Sequence, residues 1–227
     1  MTKIYLSPST QQHNVGPFGY IEEYAMNKVA DLVQPELVRH GVSVLRNKST
    51  QDNINIFIRD SNSWGADYHV AIHSNAMGVG KSGARGAEVF CWVPENKKVA
   101  GTRMAQFIYN NLSKITPTSD RGVKDGKHLD EIKYTLAQAM IIEVDFHDTE
   151  DGVTWIMGNL EPIATAILMG ILEQLEIKYI AKIDRSAQLE REVARLEKQV
   201  QNLETVLYKQ TKIITAIEGI IIKGRET

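Results

Sequence analysis

Short strand-like runs alternate with longer helix-like patterns over the first 180 or so residues of the chain. The strand-like runs are KIYLS, VSVLR, YHVAIH, GAEVFCWV and AMIIEV, and the helical patterns lie at about 22–39, 51–61, 98–115 and 151–176. Strands that are separated by helices predict a mostly parallel sheet with helices on both faces. We therefore expect an α/β fold for this part of the chain.

The pattern changes near residue 180, where a coiled-coil heptad begins. Apolar residues then recur at alternating four- and three-residue steps, interrupted only by Gln210; they are Leu189, Val193, Leu196, Val200, Leu203, Leu207, Ile214 and Ile217. Val206, Ile213 and Ile220 add a third apolar row, which favours a trimer or tetramer over a dimer. The alternative is a single amphipathic helix that folds back on the α/β domain. We predict one domain at 1–178 and an oligomerising coiled coil at 179–227.

Charge and composition exclude several classes of partner. The 26 basic and 28 acidic residues give a net charge of -2, which offers no basic surface for nucleic acid or for an anionic membrane. The first residues, MTKIYLSPST, have no apolar stretch behind a basic start, so we expect no signal peptide, and no apolar stretch is long enough for a membrane span. We therefore expect a protein that is made and kept in the cytoplasm. The single cysteine, Cys91, cannot form an internal disulfide.

His73 is the first candidate for chemistry. It ends the strand-like run from Tyr68 and is followed at once by small polar residues. Ligand sites of open parallel sheets lie just beyond the carboxyl ends of the strands, where His73 is expected. His69 shares its strand face but would lie roughly 13 Å away, too far to bind the same metal ion. We therefore expect His69 to be buried or to support the site.

Other candidate ligands follow other predicted strands. His13 follows the first strand, Glu22 and Glu23 open the first long helix, and Glu143 ends an apolar strand where a carboxylate is costly without a partner or a task. Each also has a purely structural interpretation. His13 could be an ordinary loop residue, Glu22 and Glu23 could be acids favoured at a helix N-terminus, and Glu143 could form a structural ion pair. Two histidines and one acid, with a further acid at a buried strand end, are together typical of a catalytic zinc site.

Several motifs in a fixed order resemble the zinc-dependent N-acetylmuramoyl-L-alanine amidases, of the type found in lytic enzymes of bacteriophages that infect clostridia-like Gram-positive bacteria. They are GYIEEYAMNKVAD, ADYHVAIHSNA, GAEVF, RGVKDGKHLDEIKYT and AMIIEVDFHD. The resemblance covers about residues 1–178 and implies a twisted, mainly parallel sheet flanked by helices. It also implies that His13, Glu23 and His73 bind Zn²⁺ and that Glu143 is the catalytic acid/base. Glu23 is preferred to Glu22 because the family's acid precedes an asparagine by four residues, as Glu23 precedes Asn27.

The chain departs from the family pattern in three places. The first histidine commonly lies in a glycine-rich turn, D-P-G-H-G-G, whereas STQQ separates Pro8 from His13 here. Ala139 replaces a proline that is common before the final strand. The C-terminus shows heptads where related lytic enzymes often have a recognisable wall-binding module.

The resemblance implies an enzyme that uses zinc-activated water to cleave the amide between N-acetylmuramic acid and the L-alanine of the stem peptide. Asn75 is expected to orient this substrate or to brace its loop, and Arg85 and His147 to support the site or line its groove. The partners are then Gram-positive peptidoglycan and further copies of the chain. As a phage endolysin, it would stay in the host cytoplasm until a partner pore released it.

Two other functions stay open at this point. The α/β domain could be a non-catalytic wall-binding head on an oligomerising stalk, and the coiled coil could itself contact the wall. A zinc peptidase that acts on the stem peptide would use the same residue types.

Overall fold

The computed structural model describes residues 1–48, 53–78, 83–93, 100–118, 121–181 and 185–225. The chain forms two compact units, Met1–Ile180 and Ala181–Thr227.

A six-stranded sheet forms the centre of the first unit. The strands of the chain are β1 (Lys3–Pro8), β2 (Val15–Gly16), β3 (Tyr20–Ile21), β4 (Ser43–Arg46), β5 (Tyr68–Asn75), β6 (Glu88–Cys91), β7 (Val123–Asp125) and β8 (Gln138–Phe146). The sheet has the order β4-β1-β5-β8-β6-β7, while β2 and β3 form a separate antiparallel hairpin. All neighbouring pairs in the sheet are parallel except β6 and β8. The predicted α/β fold with a mainly parallel sheet is confirmed.

The helices of the first unit match the predicted positions with two differences, a short helix at Asp130–Lys133, which was not predicted, and a break at Asn159. They are α1 (Glu22–Arg39), α2 (Ile54–Trp64), α3 (Ala100–Leu112), α4 (Asp130–Lys133), α5 (Glu150–Gly158) and α6 (Leu160–Gln174). The single helix predicted at 151–176 is wrong, because α5 and α6 meet at 69°. Asn159, with φ -129°, lies outside the helical region and breaks the segment there.

In the described part of the chain, no single helix combines the length and hydropathy needed to cross a membrane; only α5 and α6 taken together meet that requirement.

The two faces of the sheet carry different clusters. Val70 and Ile72 of β5 belong to the larger cluster, which also contains buried residues of α1, α3 and α6. Ala71 and Ile141 belong to a smaller cluster with Ile132 of α4. Since successive side chains of a strand point to opposite faces, His73 and Glu143 share the face of the smaller cluster.

The second unit contains α7 (Arg185–Arg225), a helix of 41 residues. Its seam residues are exposed in the single chain, for example Leu196 at 47% and Leu203 at 67%. The heptad prediction of a coiled coil stays a prediction.

Candidate active site

Three titratable side chains lie in one row across the sheet. In the strand register His73 of β5 is opposite Glu143 of β8, and Glu143 is opposite Glu88 of β6. Register partners point to the same face, so the three side chains are neighbours. The row lies where β5 and β8 end and β6 begins, which is the edge at which sheets of this kind bind ligands.

Glu22 reaches this row from the start of α1. Nδ1 of His73 donates a hydrogen bond of 2.8 Å to Oε1 of Glu22, and Nδ2 of Asn14 donates one of 2.6 Å to Oε2. Burial raises the pKa of Glu22, but the hydrogen bonds from His73 and Asn14 outweigh it, so the net pKa is below the usual value. Glu22 is therefore a buried carboxylate that is held in its ionised form.

The structure brings Glu22, rather than Glu23, to His73. Consecutive residues of an α-helix point about 100° apart, so only one of the two acids can face the sheet edge. Glu22 is buried, whereas the side chain of Glu23 is half-buried and its backbone carbonyl accepts a hydrogen bond from Asn27. The geometry thus supports Glu22 where the resemblance implied Glu23.

His13 lies exposed in the turn that follows β1. Two neighbours of His13 in this turn contact the site. Nε2 of Gln11 lies 3.4 Å from Nδ1 of His73, and the side-chain amide of Asn14 donates hydrogen bonds to both Gln11 and Glu22. The turn is therefore at the site, although no described contact joins the His13 side chain to it. The assignment of His13 as a ligand stays a prediction.

Glu143 is held in an environment that disfavours its charge. Burial, followed by the nearby charges of Glu22 and Glu88, raises its pKa to about 8 despite the opposing effect of His73. Its Oε2 atom is buried and has no hydrogen-bond partner among the described residues.

The surroundings of His73 favour its charged form, in contrast to those of Glu143. Burial lowers the pKa of His73, but the hydrogen bond and charge of Glu22 raise it to about 9. The carboxyl group of Glu143, with a pKa close to neutral pH, is suited to act as a general acid and base.

Both the nitrogen and the oxygen of the Asn75 side-chain amide form hydrogen bonds. Nδ2 donates a hydrogen bond of 2.7 Å to Oε1 of Glu88, and Oδ1 accepts one of 2.8 Å from the backbone N–H of Ala76. This arrangement braces the loop that follows β5. A contact between Asn75 and substrate stays a prediction.

Glu88 is a site residue that the sequence analysis did not select. It is buried, and its Oε2 accepts hydrogen bonds from Arg121 and Lys124. Its signal was present in GAEVF, where a carboxylate opens an apolar strand just as Glu143 ends one.

A polar network supports the end of β5 at Ser74, the residue after His73. The Ser74 hydroxyl lies 2.7 Å from the Tyr20 hydroxyl and 2.9 Å from Nδ1 of His147, and the two rings stack with centroids 5.4 Å apart. Burial lowers the pKa of His147, which keeps it neutral. Nearby, Arg85 donates two hydrogen bonds to the buried Asp145. His147 thus joins the ends of β5 and β8, while Arg85 ties the segment before β6 to β8.

His69 is buried, as expected, and takes no part in the row. Its Nε2 lies 2.7 Å from Oε1 of Glu131, which also accepts a hydrogen bond from the Ser7 hydroxyl. The pKa of Glu131 is raised by burial, but its hydrogen bond and charge interaction with His69 bring it below the usual value.

The donor atoms fit two of the three protein ligands that a catalytic zinc ion ordinarily has. Glu22 and His73 supply a carboxylate and an imidazole in contact. Within the described ranges, no three His, Cys, Asp or Glu side chains converge on one point suitable for a metal ion. The resemblance places the third ligand in the turn at 11–14, where the side chains of Gln11 and Asn14 contact the pair.

Comparison with family models identifies one family. A family model described as N-acetylmuramoyl-L-alanine amidase matches residues 4–173. A search among curated proteins found no match.

Several solved structures share the fold at low sequence identity. The catalytic domain of the amidase CwlV from Bacillus (Paenibacillus) polymyxa var. colistinus is 20% identical with a TM-score of 0.69, over 78% of this chain and 100% of that one. The amidase AmiC2 of Nostoc punctiforme is 16% identical with a TM-score of 0.68, over 77% and 97%. The catalytic domain of the CD27L endolysin, which targets Clostridia difficile, is 21% identical with a TM-score of 0.62, over 80% and 100%.

Proposed function

Because the chain belongs to the N-acetylmuramoyl-L-alanine amidase family, we propose that it hydrolyses the amide bond between N-acetylmuramic acid and the L-alanine of the peptidoglycan stem peptide. One observation in this structure supports the proposal independently of the family. Glu143 is the cross-strand neighbour of His73, and its Oε2 atom is buried with no hydrogen-bond partner among the described residues. A buried polar atom without a hydrogen bond destabilises the fold, and such atoms are found where a substrate or an ion binds.

We propose Zn²⁺ as the cofactor, with His73 and Glu22 as ligands and Glu22 in the place of Glu23. His13 remains the sequence-based candidate for the third ligand, since its turn contacts both of the others. A zinc ion held there would supply an acidified water, with a pKa of about 7, and a Lewis acid for the carbonyl under attack.

Glu143 then serves as the acid/base. Its Oε2 accepts a proton from the attacking water as the new C–O bond forms and donates a proton to the departing amine nitrogen as the C–N bond breaks. In the metal-free protein burial raises the pKa of Glu143 to about 8, so its surroundings disfavour the charged form and favour uptake of a proton. Tyr20 and His147 hold Ser74 at the end of β5, and thereby the neighbouring His73, in place during the reaction.

We further propose that the protein is an endolysin of a phage that infects Gram-positive bacteria. The motif resemblance supports this role, and the CD27L endolysin domain shares the fold. The enzyme would accumulate in the host cytoplasm and reach the wall when a partner pore opens the membrane. Fractionation of producing cells before and after the membrane is opened tests this step.

The exposed seam of α7 supports self-association. Leucine, valine and isoleucine at heptad spacing along a single helix bury little apolar surface until a second copy covers them. An oligomer would present several catalytic units to a polymeric wall, which raises the effective concentration of each.

Mass spectrometry of digested wall polymer tests the reaction. Free amino ends on L-alanine of otherwise intact stem peptides report cleavage of this bond alone, and cleavage within the peptide would identify a peptidase instead. The Glu143→Gln variant should lose about 10²- to 10⁴-fold in rate while keeping its bound zinc. Retention on purified walls without any released product from the unchanged protein would support the wall-binding alternative.

A further inference from the structure

An apolar cavity lies beside the candidate active site and is not used by the reaction described above. It has a volume of about 260 Å³ and lies between the β2–β3 hairpin, the start of α1 and the helix α5. Its walls include Phe18, Tyr20, Tyr24, Val153 and Met157, and none of its lining residues is charged.

One side chain links the wall of the cavity to the strand that carries His73. Tyr20 forms part of the cavity wall, stacks on His147 and bonds through its hydroxyl to Ser74, the residue that follows His73. A ligand in the cavity would thus lie against the ring of Tyr20, whose hydroxyl contacts the residue next to His73.

The hairpin that forms one wall is held in place. A Cβ added to Gly16 would lie 2.2 Å from the carbonyl oxygen of His147 and 3.0 Å from Cγ2 of Val153, so the hairpin packs directly on both the site and α5. The cavity is therefore a preformed feature of the fold, as small-molecule sites usually are.

Phe18 is placed at the rim at a cost to the fold. Its φ of 58° lies in the left-handed region, which is unfavourable for a bulky residue, and its side chain is 74% exposed. Neither the backbone strain nor the exposure of the ring improves packing. Strain of this kind persists at sites where the geometry serves binding.

We infer that this cavity is a subsite for one N-acetylated hexosamine ring of the glycan strand next to the bond that is cut. The inference rests on the proposed amidase function for the identity of the polymer. Stem peptides consist largely of small and charged residues, whereas pyranose faces and acetamido methyl groups are the apolar parts of the glycan. The rings of Phe18 and Tyr24 suit such faces, and the hydroxyls of Tyr24 and Thr154 can bond to the sugar's polar groups.

The Phe18→Asn variant of the full chain provides the test. Asparagine tolerates the left-handed conformation, so the variant removes the ring while keeping the hairpin folded. Tyr134→Asn is the matched control, since Tyr134 is a half-exposed aromatic residue outside the cavity. The probe is tri-N-acetylchitotriose, and its binding is followed by NMR chemical shifts and by calorimetry.

The expected result is that the probe shifts signals of Phe18, Tyr24 and Met157, and that Phe18→Asn weakens its binding about tenfold while Tyr134→Asn leaves it unchanged. On wall polymer, Phe18→Asn should raise KM with little change in kcat, because the subsite binds substrate and transition state equally.

Two results would overturn the inference while leaving the amidase function intact: unchanged binding and KM in Phe18→Asn, or a sugar-free stem peptide that shifts the cavity signals when chitotriose does not. If instead chitotriose binds as expected but the unchanged protein releases no L-alanine amino ends, the subsite stands and the proposed amidase function fails.

Discussion

The carboxylate of Glu22 lies 2.8 Å from Nδ1 of His73, although the two residues are 51 positions apart in the chain. Glu23, its neighbour, lies half-buried. The two adjacent glutamates therefore form a natural pair of test and control.

Glu22→Gln should lower the affinity for Zn²⁺ by about a hundredfold or more, since it removes a charged ligand, whereas Glu23→Gln should leave it nearly unchanged. Titration of chelator-treated protein with zinc, followed by elemental analysis, measures both. Loss of zinc binding in Glu23→Gln alone would restore the assignment that the family resemblance implied.

Glu143 should make the stability of the metal-free protein depend on pH. Its pKa is about 8 in the folded state against an ordinary value of 4.5, so the folded state binds more protons than the unfolded chain between these values. The stabilising contribution is complete below about pH 4.5 and is lost as the pH rises through about 8.

Glu143→Gln removes this titration. Between about pH 5 and about pH 9 in chelator, the free energy of unfolding of the unchanged protein should fall by about 1 to 3 kcal/mol relative to the variant. Urea unfolding at several pH values measures the difference. Exposed Glu161→Gln is the control, and a constant gap between the Glu143 variant and the unchanged protein would contradict a raised pKa.

Gly170 should be required for the packing of α6 on α3. A Cβ added there would lie 2.4 Å from Cα of Ile108, and backbone cannot move aside as a flexible side chain can. Gly170→Ala is expected to destabilise the fold by about 1 to 3 kcal/mol. At Gly158 the added Cβ meets nothing within 4 Å, so Gly158→Ala should be neutral or slightly stabilising in the same thermal unfolding assay.

The coiled-coil prediction is tested by a charge placed in the α7 seam. Leu203→Glu should weaken self-association at least about tenfold, because the carboxylate would have to be buried between helices. Thr205→Glu introduces the same charge on the exposed side and should have little effect. Sedimentation equilibrium of the full chains measures both, and we expect three or four copies of the 25.5 kDa chain per particle. A monomeric unchanged protein would rule out assembly through this helix.

Periodicity was sufficient for the parts of the fold that depend on local pattern. The β-rich runs became strands, α1 begins and ends where predicted, and His73 and Glu143 lie near the carboxyl ends of parallel strands, although β8 continues to Phe146. These features follow from side-chain alternation along a strand and from apolar spacing along a helix, which a chain carries whatever its tertiary context.

The break at Asn159 shows where local pattern was insufficient. An apolar run from α5 into α6 is compatible with one helix or two, because both halves bury their apolar sides. The 69° bend depends on the surfaces against which each helix packs, so the sequence pattern could not reveal it.

The sequence by itself determined the α/β fold, the strand-end positions of His73 and Glu143, and the family. Only the tertiary structure decided that Glu22 faces His73, that Glu88 joins the row, and that Tyr20 links the site to a cavity. The physical reason is that rotation of a helix about its axis and pairing between distant strands are set by packing in three dimensions. Adjacent residues such as Glu22 and Glu23 can thus have different surroundings, and residues far apart in sequence, such as Glu22 and His73, can lie in the same site.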